Sequence, residues 1–399
     1  MIPRLKPLLG ARELVAALSP WRGGIAEFEA AFAAEMGQRH AVAFPYGRTG
    51  LALLLEALEL RGARVLCPAY TCVVVPHAVV KSGNEPAFVD SRDDDFNMDL
   101  ELAARALERG GAGALVATSI FGYPVDLDRL DDLRERYPRM RVVQDCAHSF
   151  AAEWKGRPVQ REGDAAIFGL NISKLMTSVF GGMVTTDSPA LAQRLRALRA
   201  ERVRPAAWSK SLRRFAYLAA VYPAFQPAVY GMVNRLERSG VLDRFVKYYD
   251  EGVIAMPADY LDGMTALEGR VGAVQVARYR ELVERRRRIA ALYDAALAGT
   301  PGLRLPPRVP GATYSHYVPR VDDRARVLEG ARRRGVQLGQ LIEYCIPHMP
   351  AYRDRDGAAA AADFPVAARL SETTINLPLA ITPREAERTA AVVREVMAA

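Results

Sequence analysis

Two residues with complementary chemistry end two apolar runs of this sequence. Asp145 follows the uncharged run 142–144, and Lys174 follows the apolar run 165–170 after a short polar turn. Apolar runs of this length, bounded by small and polar residues, are typical of buried strands. A carboxylate and a lysine at the ends of neighbouring strands could hold one pyridoxal phosphate, whose ring nitrogen pairs with an acid and whose aldehyde forms a Schiff base with an amine. Spacing alone equally allows a strand-end acid and a solvated lysine.

The elements that must position this pair alternate between strands and helices. Strands are predicted at 40–44, 64–68, 86–90, 114–118 and 141–144, and helices at 51–60, 72–81, 99–109 and 127–137. This alternation favours an α/β domain with a mostly parallel central sheet and helices on both faces. Ligands of such sheets gather beyond the carboxyl ends of the strands. The residues that follow predicted strand ends are Thr49, Tyr70, Ser119, Asp145 and Lys174.

A glycine-bearing turn at 45–50 separates the first predicted strand from the helix at 51–60. Strand, turn and helix start together present backbone N–H groups and the positive helix end to an anion. The turn lacks the GxxxxGK[ST] pattern of a P-loop. On its own, it is equally consistent with a purely structural turn.

The remaining chain predicts two further parts. Residues 202–252 are basic and aromatic, with prolines at 223 and 227, and indicate a pair of helices that pack on the domain or on a second subunit. Contact with a membrane surface or a lipid-linked substrate is the alternative for this segment. One long helix is predicted from 264 to 297, followed by a strand at 316–321, a helix at 324–334 and a final helix from Pro383 with Thr382 as its N-cap. We therefore divide the chain into 1–201, 202–252 and 253–399.

Composition excludes several classes of protein. The 399 residues carry a formal net charge of +8, and the arginine run 285–288 lies in a helical pattern that indicates a solvated face, so no nucleic-acid partner is expected. The four cysteines lack metal-ligand spacing and lie in apolar surroundings, as free thiols of a reducing compartment do. No apolar run reaches the roughly 18 residues of a membrane span. We expect a cytoplasmic protein without a metal site.

Several short motifs follow one another in a fixed order along the chain. They read FEAAFA at 28–33, YGRTGL at 46–51, PAYT at 68–71, PAFVD at 86–90, FGYP at 121–124, DCAH at 145–148, FGLNISK at 168–174, and NLPL at 376–379. In this order the sequence resembles the DegT/DnrJ/EryC1/StrS family of sugar aminotransferases, which are fold-type-I pyridoxal-phosphate enzymes. The resemblance spans the chain apart from 202–252. It implies a large cofactor-binding domain and a smaller α+β C-terminal domain.

The resemblance also implies roles for individual residues. Lys174 would bond to the cofactor and later shuttle protons, Asp145 would keep the ring nitrogen protonated, and His148 would lie near the O3′ side of the ring or against its face. The backbone of Thr49 and Gly50 would bind the phosphate, with Arg48 adding charge. The implied cofactor contacts are Gly47, Arg48, Thr49, Gly50, Cys72, Asn171 and Ser173, and the implied substrate contacts are Tyr70, Phe121 and His348.

Three positions depart from the family pattern. Gly169 stands where the family has a phosphate-binding serine, five residues before the lysine, and Asn171 or Ser173 is expected to replace that contact. Cys72 stands where an aromatic residue stacks on the cofactor. The stretch 260–264 lacks the asparagine that a neighbouring subunit lends. We expect altered cofactor anchoring and a divergent branch with its own substrate.

The leading hypothesis is transamination. An amino group would move from an amino acid, with glutamate as the expected donor, to a keto-sugar that is expected to be nucleotide-linked, in a ping-pong cycle. A homodimer with shared active sites is implied. One alternative is an enzyme of the same fold that acts on a non-nucleotide or lipid-linked substrate. Another is a catalytically silent, dimeric binding or regulatory protein.

Overall fold

A seven-stranded sheet forms the centre of the computed structural model, which describes residues 1–19, 24–238, 250–353 and 363–399. Its strands are β1 (His40–Phe44), β2 (Arg64–Pro68), β3 (Glu85–Val89), β4 (Ala114–Thr118), β5 (Arg141–Asp145), β8 (Ala165–Gly169) and β9 (Gly182–Thr186), while β6 (Glu153–Trp154) and β7 (Arg157–Pro158) form a separate antiparallel pair. The order is β1-β9-β8-β5-β4-β2-β3. Within the seven-stranded sheet, only β9 runs antiparallel to its neighbours. The predicted α/β fold with a mostly parallel sheet is confirmed.

Helices cover both faces of this sheet. In chain order they are α1 (Ala11–Leu18), α2 (Ile25–Met36), α3 (Gly47–Ala57), α4 (Val74–Lys81), α5 (Leu100–Gly110), α6 (Leu127–Arg136) and α7 (Pro189–Arg202). Apolar side chains of α2, α5 and α6 pack on one face, and those of α3, α4 and α7 pack on the other. Every residue of β4 is buried, because a parallel sheet between two helical layers has no solvent-facing side.

The helix α3 begins at Gly47, four residues earlier than predicted. Tyr46 is its extended N-cap residue, and Gly50 N–H donates to the carbonyl oxygen of Tyr46 at 3.0 Å. Glycines in a first helical turn ordinarily weaken a helix. Here they permit close packing, because a Cβ on Gly182 would lie 2.3 Å from the backbone nitrogen of Gly47. The expected turn at 45–50 is therefore the start of the helix itself.

Two helices replace the single long helix predicted at 264–297. They are α10 (Ala266–Ala277) and α11 (Tyr279–Leu297), and the backbone leaves helical geometry at Arg278, with φ −105° and ψ 0°. A capping box of Thr265 and Glu268 starts α10. The Arg278 side chain donates to the buried Glu13 of α1 at 2.7 Å. That long-range ion pair accompanies a break that the local pattern does not reveal.

The C-terminal part is a small α+β layer. Its elements are β10 (Leu303–Arg304), β11 (Arg320–Val321), α12 (Arg324–Arg333), α13 (Pro350–Arg353), α14 (Pro365–Thr373) and α15 (Pro383–Ala398). The predicted strand 316–321 is reduced to two residues that pair with β10. Thr382 caps α15 through a capping box with Glu385, as expected.

Segment 202–252 contains two helices, α8 (Trp208–Ala224) and α9 (Pro227–Arg238), while residues 239–249 lie outside the described part. The α8 helix packs on α10 through Leu218, Leu267 and Val271. No helix in the described ranges is both long enough and apolar enough to cross a bilayer.

Candidate active site

Asp145 is the last residue of β5 and is buried at the carboxyl edge of the sheet. Its Oδ1 accepts the N–H of Ala147 at 3.0 Å, and its Oδ2 accepts the hydroxyl of Thr118 at 3.3 Å. Thr118 ends the neighbouring strand β4 and is the register partner of Asp145. Burial raises the pKa of Asp145, against the opposing effects of Ala147 N–H and the Lys174 charge. None of the described ion pairs includes this carboxylate, so a cationic N–H group would stabilise it.

Lys174 lies in the turn after β8 and reaches back over that strand. A Cβ built on Gly169 would lie 3.3 Å from Cε of Lys174 and 3.5 Å from Cβ of Ala147, so the lysine stem passes close to the end of β5. Burial lowers the pKa of Lys174, and the fields of Cys72 and Asp145 oppose that effect. An amine with a lowered pKa has a larger neutral fraction at physiological pH, which is what a nucleophile requires.

A chain of hydrogen bonds fixes the turn that carries Lys174. Thr177 Oγ1 donates to the carbonyl oxygen of Leu170 at 3.1 Å, and Thr177 N–H donates to Gln275 Oε1 at 3.4 Å. Gln275 Nε2 in turn donates to Glu13 Oε1 at 2.6 Å. The first helix of the chain thus supports the lysine turn through the side chain of α10.

His148 faces the same site from the loop after β5. Its Nδ1 accepts Phe121 N–H at 3.3 Å, so the neutral ring carries its proton on Nε2. The imidazole stacks on the Phe121 ring, with centroids 6.0 Å apart and an angle of 16°. Burial holds the pKa of His148 well below its usual range, and the charge of Lys174 lowers it further. His148 is therefore a neutral donor beside the lysine.

His316 is a member of this site that the sequence analysis places only in a strand. Its ring centroid lies 5.3 Å from that of His148, and its N–H donates to the carbonyl oxygen of Phe121 at 3.3 Å. Burial, followed by the charges of Arg286 and Lys174, depresses the pKa of His316. The sequence signal was a histidine amid aromatic residues at 314–317, but its distance along the chain hid the pairing.

The first turn of α3 abuts the ends of β8 and β9. A Cβ on Gly47 would lie 3.1 Å from the carbonyl oxygen of Phe168 and 3.2 Å from Cα of Gly169. The first N–H groups of a helix have no partner within the helix and favour anions. The Thr49 hydroxyl donates to the carbonyl oxygen of Tyr260 at 2.9 Å, so it anchors 257–263 and leaves the backbone N–H as the phosphate donor we expect.

The other expected cofactor contacts occupy different positions around this turn. Arg48 has a partly exposed side chain, and its charge contributes, after burial, to lowering the pKa of His77 in α4. Asn171 Oδ1 accepts the N–H of Ser173 at 3.1 Å and its hydroxyl at 2.6 Å. These two side chains are therefore bonded to each other. The Ser173 hydroxyl would have to give up this contact to replace the missing serine, whereas Asn171 could donate from Nδ2 and keep it. Cys72 lies near Lys174, whose pKa its field raises against the effect of burial.

The expected substrate contacts lie toward the small layer. Tyr70 is fully buried, and its hydroxyl is 2.9 Å from Thr374 Oγ1, so the phenol already has a hydrogen-bond partner within the chain. Phe121 is buried between Tyr70 and His148 and has a strained φ of +55°. His348 is partly exposed in the turn Ile346–His348, whose first N–H donates to the carbonyl oxygen of Ala69 at 3.0 Å.

These residues fit pyridoxal phosphate. A buried carboxylate that has no ion-pair partner among the described residues matches the pyridinium nitrogen, and a lysine with a depressed pKa matches the aldehyde. Gly47, Gly169 and Gly182 bring three backbones together, where added Cβ atoms would clash or crowd. An anion at the N-terminus of α3 is then within the reach of backbone donors.

Comparisons with known proteins agree with this geometry. A model of the DegT/DnrJ/EryC1/StrS aminotransferase family matches residues 23–221 and 225–397. Spore coat polysaccharide biosynthesis protein SpsC of Bacillus subtilis (strain 168) is 26% identical over 394 residues, covering 95% of this chain and 92% of SpsC. The aminotransferase TlmJ from Streptoalloteichus hindustanus is 26% identical, with a TM-score of 0.77 over 100% of this chain and 99% of TlmJ. DesI, solved in the presence of its TDP-sugar product, is 25% identical, with a TM-score of 0.75 over 100% and 92%.

These matches confirm the resemblance and correct its extent. The family model continues through most of 202–252 and omits only residues 222–224 within it. Our expectation that the whole segment stands outside the resemblance is therefore wrong.

Proposed function

The chain belongs to the DegT/DnrJ/EryC1/StrS aminotransferase family, and on that premise we propose that it transfers an amino group from glutamate to a nucleotide-linked keto-sugar. The family fixes the reaction class, which is pyridoxal-phosphate-dependent amino transfer to a sugar. The donor, the nucleotide and a role in amino-sugar, polysaccharide or secondary-metabolite biosynthesis are the proposed part. We further propose a cytoplasmic homodimer with shared active sites.

The observation that carries this proposal is the convergence of Asp145, Lys174 and His148 at the carboxyl edge of β5 and β8. The charge of Lys174 affects the pKa of both Asp145 and His148, although Lys174 follows β8 and the other two residues lie at the end of β5 and in the loop after it. Burial disfavours the charged forms of both Lys174 and Asp145, so keeping the two buried together costs free energy. A catalytically silent homologue would have no need to keep this pair.

The residues of the chain would divide the work in a defined way. Bound pyridoxal phosphate supplies an electron sink for a carbanion at the substrate carbon. Asp145, oriented by Thr118 and Ala147, would hold a proton on the ring nitrogen. In each half of the cycle, the Lys174 amine would move a proton between the substrate carbon and the cofactor. His148 would donate from Nε2 to an oxygen of the cofactor or substrate.

Relatives support the choice of a nucleotide-linked sugar. DesI was solved with a TDP-sugar product, and SpsC is described as a protein of spore coat polysaccharide biosynthesis. Both cover almost the whole chain, so the similarity includes the layers that surround the site. We assign the same class of acceptor to this enzyme.

A lipid-linked acceptor is the second candidate, and the outer face of α8 favours it. Trp208 is 79% exposed and Leu212 is 57% exposed on one side of this helix, with the exposed Arg213 beside them. Aromatic, aliphatic and basic residues in this arrangement suit the surface of an anionic bilayer. Flotation with anionic liposomes would support this candidate, whereas a dimer that buries the α8 face would remain unbound.

One experiment tests the main proposal. The protein loaded with pyridoxal phosphate should show a visible band near ~420 nm, which glutamate bleaches and which the Lys174→Ala variant lacks. A panel of keto-sugar nucleotides added after bleaching should restore the band only with the correct acceptor. A band that glutamate leaves unchanged would contradict transamination from this donor, and absence of any band would support the silent alternative.

A further inference from the structure

Arg214 lies at the centre of a polar cluster between α8 and the first turn of α3. Its Nε donates to Glu268 Oε1 at 2.9 Å, and its Nη2 donates to Tyr46 Oη at 3.1 Å and to Asp259 Oδ2 at 2.9 Å. The guanidinium also covers the Phe180 ring, with its central carbon 3.9 Å from the ring centroid. Only the planar, five-donor guanidinium can serve these partners at once.

The charges in this cluster are balanced. Arg214 and Lys210 lie against Asp259 and Glu268, and Lys210 also donates to the carbonyl oxygens of Asp262 at 2.7 Å and Gly263 at 3.1 Å. Burial alone would lower the pKa of Arg214, but the charges of Glu268 and Asp259 raise it above its ordinary value. Removing one partner of such a pair leaves an uncompensated charge, so each member fixes the others.

Tyr46 connects this cluster to the phosphate end of the site. It is the N-cap residue of α3, and its hydroxyl donates to Asp259 Oδ1 at 2.6 Å while it accepts from Arg214. Burial and the bond to Asp259 raise the pKa of Tyr46 to about 12, so the hydroxyl stays protonated. Thr49, in the same turn, donates to the carbonyl oxygen of Tyr260. Two contacts therefore tie the first turn of α3 to residues 259–260.

The segment 259–263 is clamped within one chain, between Lys210 and Arg214 of α8 and the first turn of α3. The clamp holds the direction of the helix whose N-terminus would bind the phosphate of the cofactor. None of its members touches Asp145, Lys174 or His148 among the described contacts.

We propose that Arg214 is a positioning residue of the phosphate site, which it orients through Tyr46 and the segment 259–263. This inference rests on the cofactor of the proposed function but not on the identity of donor or acceptor. It predicts that loss of Arg214 weakens the binding of the phosphate group and leaves the interactions of the pyridine ring intact. A residue that only stabilised the fold would affect every ligand of the site alike.

The test compares two ligands of the cofactor-free protein. Pyridoxal phosphate and pyridoxal, which lacks the phosphate, are titrated into wild type, Arg214→Gln, Tyr46→Phe and the matched control Arg213→Gln, with bound ligand measured by absorbance. Arg214→Gln should weaken pyridoxal phosphate by at least about tenfold and pyridoxal by less than about twofold. Tyr46→Phe removes only one hydroxyl and should shift the same ratio in the same direction. Arg213 is exposed and adjacent, and its replacement should change neither ligand.

Rescue and folding complete the design. Arg214→Lys retains the positive charge but not the forked N–H donors of the guanidinium, so it should recover part of the affinity for pyridoxal phosphate that Arg214→Gln loses. Equal weakening of both ligands in Arg214→Gln and Tyr46→Phe would overturn the inference, and so would unchanged binding of pyridoxal phosphate. Failure of wild type to bind pyridoxal phosphate would instead overturn the proposed function, and the inference with it. Thermal unfolding of each cofactor-free variant identifies any variant that is misfolded. If Arg214→Gln is misfolded, the relative affinities of Tyr46→Phe for pyridoxal phosphate and pyridoxal test the inference.

Discussion

Replacing Gly169 by serine would return to the site a hydroxyl that this chain lacks. Gly169 ends β8, and its φ lies outside the left-handed region, so the backbone accepts a side chain. A Cβ there would lie 3.3 Å from Cε of Lys174 and 3.5 Å from Cβ of Ala147. The first distance is tighter than ordinary contact, but Cε is near the end of a flexible chain and can move aside.

Two opposing effects set the size of the change. A hydrogen bond to a charged phosphate contributes about 1.5–3 kcal/mol. Moving the Lys174 stem away from its preferred rotamer costs about 0.5–1.5 kcal/mol. The difference favours Gly169→Ser by about 1 kcal/mol, which is a roughly fivefold tighter complex with pyridoxal phosphate.

The assay is titration of the cofactor-free protein with pyridoxal phosphate, with Gly169→Ala as the matched control. Alanine introduces the same crowding without the hydroxyl, so its complex should be about fivefold weaker than that of wild type. Equal affinities of the serine and alanine variants would refute the reasoning, because the hydroxyl would then make no contact with the phosphate.

Two further predictions concern single residues. Asp145→Asn should lower turnover by at least about a hundredfold, because an amide cannot hold the ring proton. Burial raises the pKa of Asp145, so the stability of the folded wild type falls as pH rises through that folded pKa. The cofactor-free variant should therefore unfold at a temperature no lower than that of wild type at neutral pH. A less stable variant would contradict the assigned burial penalty. Burial, followed by the charges of Arg48 and Lys81, lowers the pKa of His77 from 6.5 to about 4. The unfolded chain therefore takes up the proton first, and the free energy of unfolding should fall by roughly 3 kcal/mol between pH 6.5 and 4. Denaturant titrations of His77→Gln should show a shallower loss over this window, and an unchanged slope would contradict the prediction.

The strands were the most predictable part of the fold. Residues 40–44, 64–68 and 114–118 coincide with β1, β2 and β4, because short β-rich apolar runs end at Pro, Gly or polar residues. The start of α3 was not predictable, because a glycine in the first turn ordinarily weakens a helix. Gly47 is required there because the first turn lies so close to the ends of β8 and β9 that a side chain would crowd the backbone. The break at Arg278 is accompanied by an ion pair with Glu13, which lies 265 residues away and which no local pattern reveals.

The site was predictable to the extent that one edge of a parallel sheet collects its residues. Asp145 and Lys174 follow strands that are neighbours in space, and the register pairs Asp145 with Thr118. His316 lies in another layer and reaches His148 through the packing of 313–315 on Gly122 and its own bond to Phe121. The clamp around Arg214 was equally hidden, because its members lie on elements separated by 45 to 168 residues.

The bond between Gln275 and Glu13 has a consequence for how the enzyme matures. Its partners are 262 residues apart, and Gln275 also supports Thr177, 98 residues away in the lysine turn. A chain that emerges from its N-terminus completes α1 and the sheet strands well before α10 is made. Contacts of such long sequence separation form slowly, because loop closure precedes them. The lysine turn is therefore expected to gain its final geometry late, so that a newly made chain acquires its shape first and its affinity for the cofactor afterwards.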